Sequence, residues 1–265
     1  MSNTKAATPV LAIEGLTKHY GGVRALTDAA FQLMPGEHAA IVGDNGAGKS
    51  TFVRLITGVE QPNSGDIRLE GEPVAFHSPL DARDQGIETV YQNLALAEDL
   101  DVPANIFLGR ELTRFNLGPL SFLNHAEMRR QSVEMLRTTG VKIQDLSESM
   151  RGMSGGQRQC VAIARAAGFA SKLIILDEPT AALGVQETAR VEDIIRGLKQ
   201  RGVPLIIISH NLRQVFDLVD RIWVFRQGRI ICSRRTDSTS PEEIVGLITG
   251  AIDPASLLAD EAATC

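Results

Sequence analysis

Residues 43–51, Gly43-Asp44-Asn45-Gly46-Ala47-Gly48-Lys49-Ser50-Thr51, have the spacing G-x-x-x-x-G-K-[ST]. That spacing suits a nucleotide phosphate. Glycines let the backbone wrap closely so that successive N–H groups face phosphate oxygens, Lys49 reaches the β/γ oxygens, and Ser50 offers a hydroxyl to Mg²⁺. A helix expected over residues 49–57 would aim its N-terminal dipole at the same anion. The plainer reading is a Gly-rich turn. The flanks favour the phosphate: a mostly apolar run at 37–42 ends at the first glycine, and Phe52, Leu55 and Ile56 form a helical apolar face after it.

A second chemical pair is Asp177-Glu178, which follows the apolar run 173–176. An aspartate leaving a buried strand beside a P-loop strand is placed to hold Mg²⁺ through water, as a Walker B residue does. The adjacent Glu178 can then polarise an attacking water by accepting its proton. The alternative is two acids in a surface loop. His210 follows another apolar run, 205–208. Alone it reads as a structural or exposed histidine, Gln92 alone says less, and Tyr20 alone reads as a packed aromatic rather than a base-stacking platform.

These residues need a scaffold. Residues 11–20 and 24–34 alternate loosely and are punctuated by Gly21-Gly22 and Pro35-Gly36, which predicts antiparallel strands ahead of the P-loop strand. Turns at 63–65 and 71–73 with a short strand at 67–69 complete a small β lobe. Ser78-Pro79 opens a short helix that Gly86 closes, and a strand at 87–90 leads to Tyr91-Gln92-Asn93. From about 94 to 150 helical patterning replaces β-branched runs. Asn124-x-x-Glu127 has capping-box spacing before Met128, Val133, Met135 and Leu136, and Gly140 ends that helix. Helix 157–167, strand 172–176, a helix with Val191, Ile194, Ile195 and Leu198 on one face, and strand 205–208 then alternate. This predicts an α/β fold with a mainly parallel core sheet and its site at the strand C-terminal ends. A hairpin about Gln227-Gly228 and a helix capped by Ser240 finish the chain.

At 265 residues the chain can form one large domain, or one domain with a subdomain. No apolar run approaches the 18 or so residues of a membrane span. The polar start at 1–9 lacks a signal-peptide pattern, so a cytoplasmic location is expected. Cys160, Cys232 and Cys265 lack metal-ligand or redox spacing, and an odd count speaks against a disulfide framework. A net charge of −5 with mixed signs offers no basic field for nucleic acid.

Together the motifs resemble the ATP-binding subunit of ABC transporters over almost the whole chain. Met153-Ser154-Gly155-Gly156-Gln157-Arg158-Gln159 looks like the ABC signature followed by its helix. The order also matches: Tyr20, Walker A at 43–51, Gln92 of the Q-loop, a helical subdomain, the signature, Walker B at Asp177-Glu178, and switch His210. The resemblance implies a P-loop NTPase with a small antiparallel β lobe and an inserted α-helical subdomain. It implies a single ABC ATPase domain at 9–250, the subdomain at about 94–156, and a tail at 251–265.

The cofactors it implies are ATP and Mg²⁺. Tyr20 would stack on adenine, Gln92 would reach the Mg²⁺ and water region with Ser50 and Asp177, and His210 would contact the γ-phosphate. Ser154, Gly155, Gly156 and Gln157 would present a hydroxyl and backbone N–H groups to a phosphate. One P-loop and one signature, about a hundred residues apart, face each other in this family only across a head-to-tail dimer that sandwiches two ATP molecules. The implied partners are a second copy, integral-membrane permease subunits and, indirectly, an extracytoplasmic sugar-binding protein. The implied location is the cytoplasmic face of the membrane.

Two stretches depart from the family pattern. Met153 stands for the usual leucine, and Ala181-Ala182-Leu183-Gly184 stands where many members carry Ser-Ala-Leu-Asp, which bears on coupling between the two ATP sites. Tyr91-Gln92-Asn93, residues 105–109 and residues 180–184 look like ATPases of ribose-, xylose- and fructose-type importers. The single nucleotide domain resembles the fructose-type form. Other readings are the ATPase of a non-sugar ABC transporter, or a soluble ABC ATPase of DNA repair or translation. The latter usually shows a coiled-coil insertion, two cassettes or a basic surface, and none is visible here.

Overall fold

A computed structural model describes residues 7–115 and 121–256. Cys265, residues 1–6 and most of the 251–265 tail lie outside the described residues. Strands β1 (Leu11–Tyr20) and β2 (Val23–Leu33) pair antiparallel, Leu11 opposite Leu33 and Tyr20 opposite Val23. β3 (His38–Gly43) runs into the P-loop and α1 (Lys49–Ile56), whose Phe52, Val53, Leu55 and Ile56 are buried. β4 (Ser64–Leu69) and β5 (Glu72–Val74) extend the first sheet in the order β2-β1-β4-β5. Glu72 and Pro73, expected in a turn, are strand residues; β5 is an edge strand, where proline's missing N–H leaves no ladder bond unmade. α2 (Pro79–Asp84) starts as expected, with Ser78 accepting from the Asp81 N–H and Pro79 in the first turn. β6 (Ile87–Val90) follows.

The stretch expected to be helical is only partly so. It holds α3 (Val102–Ile106), a two-stranded ribbon of β7 (Thr113–Phe115) and β8 (Phe122–Leu123), and α4 (His125–Thr138). The capping box at α4 forms by half. Asn124 accepts from the Glu127 N–H, but the Glu127 carboxylate turns to Arg130 and Gln131. Val133 is exposed, and Ser132 takes the buried place beside Met128 and Leu136 because its hydroxyl donates to the Met128 carbonyl at 2.8 Å.

The core then resumes with α5 (Gly155–Phe169), β9 (Leu173–Asp177), α6 (Val185–Gln200), β10 (Leu205–Ile208), α7 (Leu212–Leu218), β11 (Arg221–Arg226), β12 (Arg229–Arg235) and α8 (Pro241–Thr249). The main sheet has the order β12-β11-β3-β10-β9-β6. Every neighbouring pair in it is parallel except β11–β12. Alternate side chains enter two cores. Ala40, Val42, Ile174, Leu176 and Ile207 face α5, α6 and the helical stretch. Ala39, Ile41, Ile175, Ile206 and Ile208 face α1 and the antiparallel sheet. Burial on both faces explains why these strands are continuous apolar runs rather than alternating ones.

Candidate functional site

Three adjacent parallel strands bring the motifs together. Ile208 at the end of β10 is level with Ile41 of β3 on one side and Asp177 of β9 on the other. The residues that follow those strands, the P-loop, Glu178 and His210, therefore emerge side by side. They open a cleft of about 810 Å³ lined by Gly43, Asp44, Asn45, Gly46, Gly48, Lys49, Ser50, Thr51, Gln92, Asp177, Glu178, Ala181 and His210. Ala47 faces away: it is buried, and its carbonyl accepts from the Gly228 N–H at 3.0 Å.

Glycine is required at two points of the loop. Gly43 has φ of 151° and Gly48 of 102°; a Cβ on Gly43 would sit 2.3 Å from the Phe225 carbonyl oxygen, and one on Gly48 2.8 Å from that of Ala25. Gly48 is the N-cap of α1 and supplies no side-chain cap. The helix N-terminus therefore faces the cleft without a side-chain acceptor of its own. Lys49 Nζ donates to the Gly43 and Asp44 carbonyls at 2.7 and 2.9 Å. Burial lowers its pKa, while Glu178, Asp44 and Asp177 act to raise it.

The acids differ in setting. Burial, and then the neighbouring Glu178, raise the Asp177 pKa, and Lys49 opposes them. An anionic Asp177 is thus stabilised by cationic charge in the cleft. Glu178 has φ of 49°, the left-handed region that a non-glycine residue seldom adopts, and its N–H donates to the Ile208 carbonyl at 2.9 Å. Its Oε1 lies 2.8 Å from His210 Nδ1. His210 is otherwise exposed, so this carboxylate is its side-chain partner.

Gln92 stands between two spaces. It lines the nucleotide-sized cleft and also a groove shared with Gly155, Arg158, Gln159 and Leu183. Tyr20 is not in the cleft wall. It stands at its rim, paired with Val23, which does line the cleft. Its hydroxyl donates to Glu60 and lies beside Thr51, and Lys18 Nζ is 5.3 Å from its ring centre. Burial and the Glu60 carboxylate raise its pKa.

The signature residues lie apart from this cleft, at the start of α5. Ser154 is the N-cap: its Oγ accepts from the Gln157 N–H at 3.2 Å, and Gln157 Oε1 accepts from the Ser154 N–H at 2.8 Å. Gly155 and Gly156 form the first turn. So the structure gathers the P-loop, Gln92, Asp177, Glu178 and His210, and holds residues 154–157 outside that cleft, with Ser154 and Gly155 exposed and Gly156 buried. Sequence reading missed Val23, Arg24 and Ala25 in the cleft wall, and Glu187, whose carboxylate bonds Ser154. An apolar Val23 directly after the Gly21-Gly22 turn was the available signal for the first group. Glu187 bonds a residue 33 positions away, which no local pattern reveals.

The ABC transporter family matches residues 26–181, more than half of the chain. The chain belongs to the ABC transporter family. It is an ATP-binding, ATP-hydrolysing cassette. It is 47% identical to the fructose import ATP-binding protein FrcA of Rhizobium meliloti, over 94% of this chain and 97% of that one. It is 43% identical to the xylose/arabinose import ATP-binding protein XylG of Sulfolobus acidocaldarius, over 91% and 94%. With the ribose import ATP-binding protein RbsA 2 of Streptomyces avermitilis it shares 38% identity, but it spans only 47% of that longer protein. Among solved structures, the ATP-binding cassette MJ1267 in its ADP conformation superimposes with a TM-score of 0.75 at 25% identity, covering 91% of this cassette and 95% of that one. The expected α/β cassette with a mainly parallel sheet and a small antiparallel lobe is the fold observed. Among the described residues of the ABC cassette, no helix is long and apolar enough to cross a membrane.

Proposed function

We propose that this cassette drives the import of a monosaccharide through a separate permease, with fructose the substrate favoured by the end-to-end similarity to the fructose import protein. The observation that carries the catalytic part is the convergence of Lys49, Asp177, Glu178, His210 and Gln92 on one cleft. P-loop N–H groups and Lys49 hold the ATP phosphates. Tyr20, at the rim with Val23, offers its ring to adenine. Glu178 accepts the proton of the attacking water, and His210, bonded to it, fixes its direction and reaches the γ-phosphate.

The oxygen donors fit Mg²⁺. Asp177, Ser50 and Gln92 share the cleft, and the described residues hold no cluster of three His, Cys, Asp or Glu side chains that would bind a metal unaided. A hydroxyl, an amide, one carboxylate and the nucleotide's own phosphates suit a small hard cation that keeps part of its water shell. When bound, Mg²⁺ neutralises charge on the phosphate oxygens.

Residues 154–157 lie outside the cleft, so a second copy placed head to tail supplies them to each ATP. ATP then favours the closed pair because its phosphates touch both copies only there. A groove of about 350 Å³ between core and helical stretch, lined by Tyr91, Glu88, Arg110 and Phe169, is suited to a cytoplasmic helix of the permease. Arg110 pairs with Glu88 there and stacks on Phe169 at 4.5 Å. Gln92, next after Tyr91 but one wall of the ATP cleft, links the two. An extracytoplasmic sugar-binding protein delivers the substrate on the far side, and the cassette works at the cytoplasmic face.

Deleting the gene and measuring uptake of labelled fructose, xylose and ribose tests this reading. Loss of one uptake, restored by the wild-type chain and not by Lys49→Ala, is expected. Unchanged uptake of all three overturns the sugar assignment.

A further inference from the structure

The donors at the start of α5 already hold an anion. Glu187, in the first turn of α6, places Oε1 at 2.8 Å from Ser154 Oγ and 3.3 Å from the Gly156 amide nitrogen. Its other oxygen, Oε2, accepts from the Gly184 N–H at 3.2 Å. Ser154 Oγ takes the Gln157 N–H as acceptor, so its proton is directed to Glu187. The contact is close-fitting. A Cβ on Gly156 would fall 2.6 Å from Glu187 Cγ and 2.7 Å from its Cβ, so the carboxylate arm lies directly on the glycine backbone. These bonds, the Ser154 hydroxyl first and then the Gly184 and Gly156 amides, hold its carboxyl below the usual range, and it is ionised at neutral pH.

A phosphate approaching Ser154 and Gly156 would meet this carboxylate on the same donors. Two anions cannot share one hydroxyl proton and one N–H, and at that separation they repel. We propose that Glu187 is a resident anion on the signature donors, displaced when the ATP of the second copy docks, so that it sets the ATP concentration at which two copies close. The inference rests on the head-to-tail reading above. Its second bond gives displacement a consequence within the chain. Oε2 is tied to Gly184, the last residue of the 181–184 loop, and that loop begins at the wall of the cassette's own cleft with Ala181. Release of Glu187 from Ser154 therefore loosens the segment that joins the signature to the chain's own Glu178.

A merely structural role gives the opposite sign. If Glu187 served to organise Ser154 for phosphate, removing its charge would raise the ATP requirement; as a competitor, its removal lowers it. The test uses the full chain in a Glu178→Gln background, which prevents turnover, with Glu187→Gln or Glu187→Asp added. Gln keeps an acceptor for Gly184 without the charge. Asp keeps the charge in the first turn of α6 but is one methylene too short to reach Ser154. Mass in solution is followed by light scattering as ATP-Mg²⁺ is raised. The expected result is a dimer in all three, with the half-saturating ATP lowered about 5- to 10-fold in both double variants. Thermal unfolding midpoints close to that of the single variant would show them folded. A dimer whose half-point is unmoved or raised overturns the inference and leaves the two-copy reading standing. No ATP-driven dimer in the single variant removes that reading, and the inference with it.

Discussion

Nδ1 of His210 lies 2.8 Å from Oε1 of Glu178, and the two residues follow neighbouring parallel strands, β10 and β9. The left-handed backbone of Glu178, φ 49°, presents its carboxylate to that ring. The pair predicts that His210→Ala lowers kcat by about 10²-fold, the scale of losing one positioned polar group in an active site. KM for ATP should change much less, because the P-loop remains intact. Steady-state ATPase kinetics check this, and a variant with unchanged kcat would detach His210 from the reaction.

Tyr20 stands at the cleft rim with its hydroxyl on Glu60. If its ring is the adenine platform, Tyr20→Ala should weaken ATP binding by about 1–3 kcal/mol, and Tyr20→Phe, which keeps the face, should not. Titration with a fluorescent ATP analogue separates the two variants. Equal losses in both would instead assign the effect to the Glu60 bond.

Gly43 predicts a steric failure. A side chain there would drive a Cβ to 2.3 Å from the Phe225 carbonyl oxygen at a φ of 151°. Gly43→Ala should cost roughly 2 kcal/mol or more of stability. Urea unfolding measures it, and an unchanged midpoint would contradict the geometry.

His38, fully buried at the start of β3, has its pKa pushed down to about 4, chiefly by burial and then by Lys199. Above pH 6.5 neither folded nor unfolded chain protonates it. Between pH 6.5 and about 4 the unfolded chain takes up a proton that the folded chain refuses, so stability falls as pH falls. From an ordinary value of 6.5, that linkage is worth about 3 kcal/mol. His38→Gln, which can still donate to the Val203 carbonyl that His38 Nε2 meets at 3.1 Å, should flatten this part of the profile. Urea unfolding at pH 7 and pH 4 of both proteins gives the difference; parallel profiles would contradict it.

Much of this architecture was legible in the sequence because its signals are local. β3, β9 and β10 read as apolar runs since both faces of the main sheet are covered, and α6 read from Val191, Ile194, Ile195 and Leu198, all of which are buried. The P-loop, Asp177-Glu178 and His210 are motif residues at strand ends, so topology alone gathers them. Other features turned on tertiary facts. The β7–β8 ribbon is too short for any period to show. Ser132 displaces Val133 from the buried face through one hydrogen bond. Ala47 belongs to the motif by spacing but points into the core. Glu187 meets Ser154 only because α5 and α6 pack side by side.

The role proposed for Glu178 is to activate the attacking water in a cleft that binds ATP without it. Glu178→Gln keeps the shape of the side chain and removes its capacity to accept a proton. Measured side by side, ATP hydrolysis should fall by about 10²- to 10⁴-fold, with equilibrium ATP affinity unchanged. Hydrolysis at the wild-type rate in a protein that binds ATP normally would show that Glu178 is not the base.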